Sequence, residues 1–261
     1  MRALASAAGV TVLSFPGSIA RLRGHPEAAL DFSFAFQPIV ELPSGDVFAY
    51  EALLRGSKGE PANQVFERFL TLDPVLFDVA CRARAVAVAA QVGIDARLSL
   101  NFPPSAALTA AGGLCSTLAE AQRFSFAPQR IIIEVTESDA VADPAGFASI
   151  MNEYRRAGVT LAIDDFGAGY AGLSLLAEFQ PDIVKLDQGL ARSIPSHGPR
   201  QAIVRAILQV CFDLGIDVVI EGIETLDEYR WFADEGVSLF QGYLFARPEF
   251  EGLPSIYLPD R

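Results

Sequence analysis

The sequence predicts an α/β protein, a (β/α)8 TIM-like barrel whose first strand runs antiparallel to its second. Short apolar runs alternate with helix-like segments along most of the 261 residues. Nearly every run carries an acidic, amide or ammonium side chain at or near its end. Glu51 reads as closing the strand in VFAYEALL and Asn101 closes LSLN, while Glu134 sits in RIIIEVTE; Asp164 and Asp165 follow VTLAI. Lys185 and Asp187 follow PDIV, Glu221 follows DVVI and Gln241 follows SLF. A buried carboxylate is costly unless it is paired or holds a cation. A whole series in register therefore implies parallel strands whose carboxyl ends converge on one acidic, cation-binding mouth. A doubly wound open sheet is the alternative, and it gives no reason for polar ends on nearly every strand.

Residues 1–30 read as an extension or linker remnant, and 31–261 as the barrel domain. FSFAFQPIV and VFAYEALL are joined by ELPSGD. That connection is too short for a parallel crossover, which takes about a dozen residues, so the two strands must be antiparallel. Residues 62–92 are helical in two pieces, broken near Asp73-Pro74. A strand over 97–102, a helix around 105–121 and a strand over 130–136 follow. The next helix has legible ends: Asp143 suits the N-cap, Pro144 the first turn and Gly158 the stop. Its apolar stripe is Phe147, Ile150, Met151 and Tyr154. Strands at 159–163, 182–186, 217–221 and 237–240 alternate with helices near 170–179, 199–214 and 225–235. Gly215 and Gly236 end the last two helices.

Composition narrows the chemistry. With 51% apolar residues the chain can build one large core. A net charge of -12 argues against binding a nucleic-acid polymer, which needs a basic face. Cys81, Cys115 and Cys211 are odd in number and lie in apolar, helix-like contexts, so they read as buried free thiols in a reducing compartment. No apolar run reaches the ~18 residues of a membrane span. The N-terminal MRALASAAGVTVLSF has too weak an apolar stretch for a secretory signal, and a cytoplasmic location is expected.

Oxygen ligands without clustered His or Cys favour hard cations such as Mg²⁺ or Mn²⁺. The two histidines, His25 and His197, stand in loop-like surroundings away from the acidic series. Asp164 and Asp165 sit where a strand turns into a loop, so both can reach neighbouring ions. Two such ions can clamp a phosphodiester. Lys185 either joins that mouth or pairs outward with Asp187. Gly167, Gly169 and Gly172 spell G-x-G-x-x-G, but the carboxylates just before them would repel a pyrophosphate. For each of these glycines a tight turn stands level with a phosphate contact.

YEALLRG, LNFPP, IIIEVTES, IDDFGAGYAGLSLL, DIVKLD, IEGIET and FQGYLFARP resemble, in order, the motifs of the EAL domain family, bacterial cyclic di-GMP phosphodiesterases. The resemblance runs from about Phe34 to Pro248. It implies a barrel with an antiparallel first strand, and hydrolysis of cyclic di-GMP to linear 5′-pGpG with two Mg²⁺ or Mn²⁺ ions. By that resemblance Glu51, Asn101, Glu134 and Asp164 hold one ion, while Asp164, Asp165 and Glu221 hold the second. Lys185 orients the water, Gln241 and Glu224 support the site, and Asp187 stands behind it. Gln37 and Arg55 match substrate contacts, and Glu137 anchors the loop of Gly167 and Gly169. A homodimer through that loop is also implied. Pro103, Ala168, Ala171-Gly172, Gly56 and Ile220 depart from the usual pattern, yet none removes a metal ligand. Without a hydroxyl on Ala168 the loop's tie to Glu137 should be weaker. The other classes weighed are a catalytically silent cyclic di-GMP-binding or protein-interaction module, and a different metal-dependent phosphodiesterase or lyase on the same barrel.

Overall fold

Strand order places the site before any side chain is considered. The computed structural model describes residues 31–103, 113–136, 144–169, 173, 176–177 and 180–259. Strands β1 (Phe32–Glu41) and β2 (Asp46–Gly56) form the expected antiparallel hairpin, with Phe32 opposite Gly56 and Glu41 opposite Asp46. From β2 onward the strands are parallel: β3 (Arg97–Asn101), β4 (Ile131–Thr136), β5 (Thr160–Phe166), β6 (Ile183–Leu186), β7 (Asp217–Ile220) and β8 (Leu239–Phe240). β1 closes the ring by pairing antiparallel with β8 as well as with β2. A further strand, β9 (Glu249–Phe250), pairs with β1 outside the ring; two residues are too short to show the period-2 pattern of a strand.

Helices cover the outside. α1 (Ala62–Arg68) and α2 (Pro74–Gln91) are the two expected pieces, and Asp73 caps α2 by accepting from the amides of Val75 and Leu76. α3 (Leu114–Arg123) covers the later part of the helix expected around 105–121, and residues 104–112 lie outside the described set. α4 (Pro144–Arg156) buries Phe147, Met151 and Tyr154, and Gly158 ends the turn after it at φ +93°. Asp143 lies outside the described residues, as does most of the expected helix at 170–179. α5 (Gln188–Ala191), α6 (Gly198–Leu214) and α7 (Leu226–Asp234) follow among the described residues. Gly215 takes the left-handed C-cap of α6.

Strand alternation divides the core in two. Leu98, Leu100, Ile131, Ile133, Leu161, Ile163, Val184 and Phe240 belong to the large cluster that also contains the buried helix residues. Ile39, Ala49, Ile132, Ala162, Ile183, Val219 and Leu239 form a separate buried cluster with members from seven of the barrel strands. This second set plugs the barrel interior, as closed eight-stranded barrels require. Cys81 is half-buried and Cys211 buried, both as free thiols; the Cys115 side chain lies outside the description. No helix among the described residues is long and apolar enough to cross a membrane.

Candidate active site

The interior plug determines which residues meet above it. Side chains two residues apart in a strand share a face. Moving two residues toward the carboxyl end from Ala49, Ile132, Ala162, Ile183, Val219 and Leu239 gives Glu51, Glu134, Asp164, Lys185, Glu221 and Gln241. In the reversed strand β1 the step from Ile39 goes the other way and gives Gln37. The polar layer is thus the next interior layer of the same barrel. One detail differs from the sequence reading: Glu51 does not close its strand. β2 continues to Gly56 because β1 stays paired with it beyond the mouth.

Lys185 is 1% exposed and stands at the centre. Its Nζ lies 2.7 Å from Glu221 Oε1, 2.9 Å from Asp164 Oδ1, 3.0 Å from Glu134 Oε1 and 3.3 Å from Glu51 Oε2. The outward pairing with Asp187 is therefore excluded. Asp187 instead caps α5, accepting from the Gly189 amide at 2.7 Å. Gln241 Nε2 donates to Glu51 Oε2 at 2.8 Å, and Gln37 Nε2 to the Ala246 carbonyl at 3.2 Å. Ser99 Oγ donates to Glu134 Oε1 at 2.6 Å within the core. Sequence reasoning missed Ser99, although it precedes Asn101 by two residues and so faces the same way.

A backbone irregularity explains the adjacent aspartates. Asp165 has φ +53°, left-handed for a non-glycine, and the β5–β6 register shifts between Ile163 and Phe166. That bulge lets consecutive carboxylates serve one mouth, which a regular strand forbids. Gly167 follows at φ +96°, and a Cβ there would overlap Leu190. Gly169 is exposed in the same turn, whereas Glu137 lies outside the described residues.

The electrostatics are unbalanced. Burial first, then Glu51 and Asp164, pushes the Glu134 carboxyl up to about 8 against the pull of Lys185. Burial likewise raises Glu221 well above its ordinary range, outweighing Lys185, with Asp164 and Glu51 adding to it. Asp165 is raised by burial, Asp164 and Asp187. Burial opposes the charge on Lys185, but the surrounding carboxylates prevail and hold its ammonium well above the ordinary value. One ammonium thus pairs with four carboxylates, and Asp165 adds a fifth acid at the mouth. Glu134 Oε2, Asp164 Oδ1 and Gln241 Oε1 are buried without hydrogen-bond partners, the Asp164 oxygen being ion-paired to Lys185 but out of hydrogen-bond alignment.

These acids fit divalent cations. Glu51, Glu134 and Asp164 can present oxygens within 4.8 Å of one another, and so can Asp164, Asp165 and Glu221. Asp164 is common to both groups. Hard oxygen donors with no His or Cys suit Mg²⁺, Mn²⁺ or Ca²⁺. Gln37, Glu51, Asp165, Asp187, Glu221, Glu224 and Gln241 line a cavity of about 210 Å³. Arg55 and Asn101 line a neighbouring, mostly apolar cavity of about 560 Å³ that also touches Glu134. Arg55 donates to the Leu54 carbonyl at 2.8 Å, and Glu224 pairs with Arg192 at 2.8 Å.

A family model described as the EAL domain matches residues 22–248. The chain belongs to the EAL domain family. The blue light- and temperature-regulated antirepressor BluF of Escherichia coli is 34% identical over 87% of this chain and 57% of its own length. The cyclic di-GMP phosphodiesterase RocR of Pseudomonas aeruginosa is 29% identical over 84% of this chain and 57% of its own. This EAL chain therefore spans little more than half the length of those curated relatives. Among solved structures, Klebsiella pneumoniae BlrP1 in a manganese/cy-diGMP complex is 40% identical, with a TM-score of 0.79 over 88% of this chain and 58% of that one.

Proposed function

We propose that this EAL domain hydrolyses one phosphodiester of cyclic di-GMP to linear 5′-pGpG, with two Mg²⁺ or Mn²⁺ ions. The observation that carries the reading is the interior layer of four carboxylates gathered around a single lysine, with Asp165 beside them. Glu51, Asn101, Glu134 and Asp164 would hold one ion; Asp164, Asp165 and Glu221 would hold the other. Bound there, the ions would supply charge neutralisation at the phosphate and a more acidic water.

The chain's own groups do the rest. Gln241 fixes Glu51 through the 2.8 Å hydrogen bond, and Ser99 fixes Glu134. Lys185 Nζ, freed from part of its carboxylate shell, donates a hydrogen bond that orients the attacking water. Gln37 lies on the wall of the smaller cavity, where an amide can read one end of the substrate. Arg55 lies on the wall of the larger cavity, where a planar guanidinium can take the phosphate side. Glu224 and Asp187 hold the rim through Arg192 and α5.

The test is product analysis of the purified protein with cyclic di-GMP and Mg²⁺ or Mn²⁺. Linear product that disappears in Glu51→Ala is the expected result. Lys185→Met should keep metal uptake while lowering turnover about a hundredfold or more. Tight binding of cyclic di-GMP without any turnover would replace the hydrolase reading with a silent binding module. That second reading draws on Ala168, which lacks a hydroxyl, and on the antirepressor among the relatives.

A further inference from the structure

Beside the acidic layer lies a charged cluster that the proposed chemistry does not use. Arg82 of α2 is 2% exposed, as deeply buried as the aliphatic core around it. It is paired with Asp78 one turn earlier, and its Nε donates to Thr117 Oγ1 of α3 at 2.8 Å. The guanidinium lies 4.4 Å from the centroid of the Phe102 ring. Tyr154 of α4 packs its ring edge-on against the same phenyl, at 5.8 Å between centroids. Phe102, 1% exposed, is thus held from α2 by a cation and from α4 by an aromatic edge.

Phe102 follows Asn101 directly, and Asn101 is the one proposed ion ligand that is neutral and exposed. The Phe102 amide donates to the Glu134 carbonyl at 2.8 Å, tying the end of β3 to the β4 residue that carries another proposed ligand. The direction in which Asn101 points therefore depends on how firmly Phe102 is seated. A buried guanidinium is an expensive way to fill a core, since an aliphatic side chain of like volume avoids its desolvation. Its planar face, stacking on a ring while the fork is spent on Asp78 and Thr117, gives a fixed geometry that an aliphatic side chain does not.

We propose that Arg82 is a positioning residue that acts through Phe102 to aim Asn101 at the first metal ion. The proposal rests on the two-metal reading above and adds to it a residue remote from the mouth. Partners behind metal ligands typically change metal affinity about 10–100-fold when removed. The lower end applies here, because the action passes through one intervening side chain.

Calorimetric titration of the whole chain with Mn²⁺ alone tests this. Arg82→Met should raise the dissociation constant of the weakened site about tenfold, and the metal needed for half-maximal turnover should rise in parallel. Tyr154→Leu, which removes the opposite support, should act in the same direction. If Arg82→Met does not fold, Arg82→Lys takes its place, because it keeps the charge beside Asp78 but loses the stacking plane. The deciding measurement is the cycle with Asn101→Ala. When Arg82 works through Asn101, the double variant binds Mn²⁺ no more weakly than Asn101→Ala alone. Additive losses, or wild-type affinity in Arg82→Met or Arg82→Lys, overturn the positioning role. Failure of the wild-type chain to take up Mn²⁺ would instead overturn the metal reading itself.

Discussion

Glu134 shows how one residue can be set by several contacts at once. It is 1% exposed, accepts from Ser99, faces Lys185, and leaves Oε2 without a partner. Removing the serine hydroxyl takes a charge-assisted hydrogen bond from Glu134 Oε1 and leaves it the Lys185 ammonium alone, so Ser99→Ala should cost about 1–3 kcal/mol, measurable by denaturant unfolding. It should also weaken Mn²⁺ binding about tenfold or more. The pH dependence follows from the same residue. Its carboxyl moves from an ordinary 4.5 up to about 8 on folding, through burial first and then the neighbouring acids. A folded-state value above the unfolded one contributes stability that is complete below the unfolded value and is lost as pH rises through the folded value. Metal-free protein should therefore melt at progressively lower temperature as pH climbs from 4.5 through about 8. Cation binding must displace the held protons, so titrations near neutral pH in buffers of different ionisation enthalpy should reveal proton release. A heat that does not vary with the buffer would refute this.

At the scale of elements, one loop is built by contacts that strand propensity does not encode. Behind Glu221, the loop of residues 222–225 lies against the end of β8. Gly242 meets Ile223 so closely that a Cβ would overlap the Ile223 carbonyl and amide, while the Ile223 amide donates to the Gln241 carbonyl at 3.1 Å. Gly242→Ala should destabilise the fold by about 3 kcal/mol and disturb Glu221 and Gln241 together. The same loop is gripped from α7. Glu228 accepts from the amides of Ser193, Glu224 and Thr225, and completes a capping box with Thr225. Burial raises its carboxyl, but those amide hydrogen bonds prevail and hold it below the ordinary 4.5. A depressed folded-state value contributes stability above the unfolded value and loses it as pH falls through the folded one. Glu228→Gln should thus be less stable near neutrality and show a flatter acid limb below pH 4.5 in thermal melts. An acid limb unchanged from wild type would contradict the assignment.

The whole molecule adds closure. β1 pairs with both β2 and β8, and this ring seals the plug of Ile39, Ala49, Ile132, Ala162, Ile183, Val219 and Leu239 beneath the acids. Apolar side chains rather than water thus lie beneath the charges. Saturating Mn²⁺ should therefore raise the melting temperature, by the free energy of about 2.7 kcal/mol expected at a hundred times the dissociation constant. Glu51→Ala and Asp164→Asn should each reduce that gain, and an unchanged gain in both would place the bound ions elsewhere.

The barrel was legible in the sequence because apolar runs, helix caps and glycine stops are local signals. The antiparallel start followed from the length of ELPSGD alone, and most of the acidic series was legible as polar residues breaking apolar runs. Ser99 escaped because a small hydroxyl in a strand carries no mark of its partner. β9 escaped because two residues carry no period. The bulge at Asp165 depends on how β5 meets β6 and is absent from either segment taken alone. Sequence by itself determined the order of strands and the identity of the acids, since both are written in neighbouring residues. Tertiary structure alone decided that Lys185 turns inward to four carboxylates contributed by four other strands. The reason is physical: charges far apart along the chain share a potential only once the ring has closed around them.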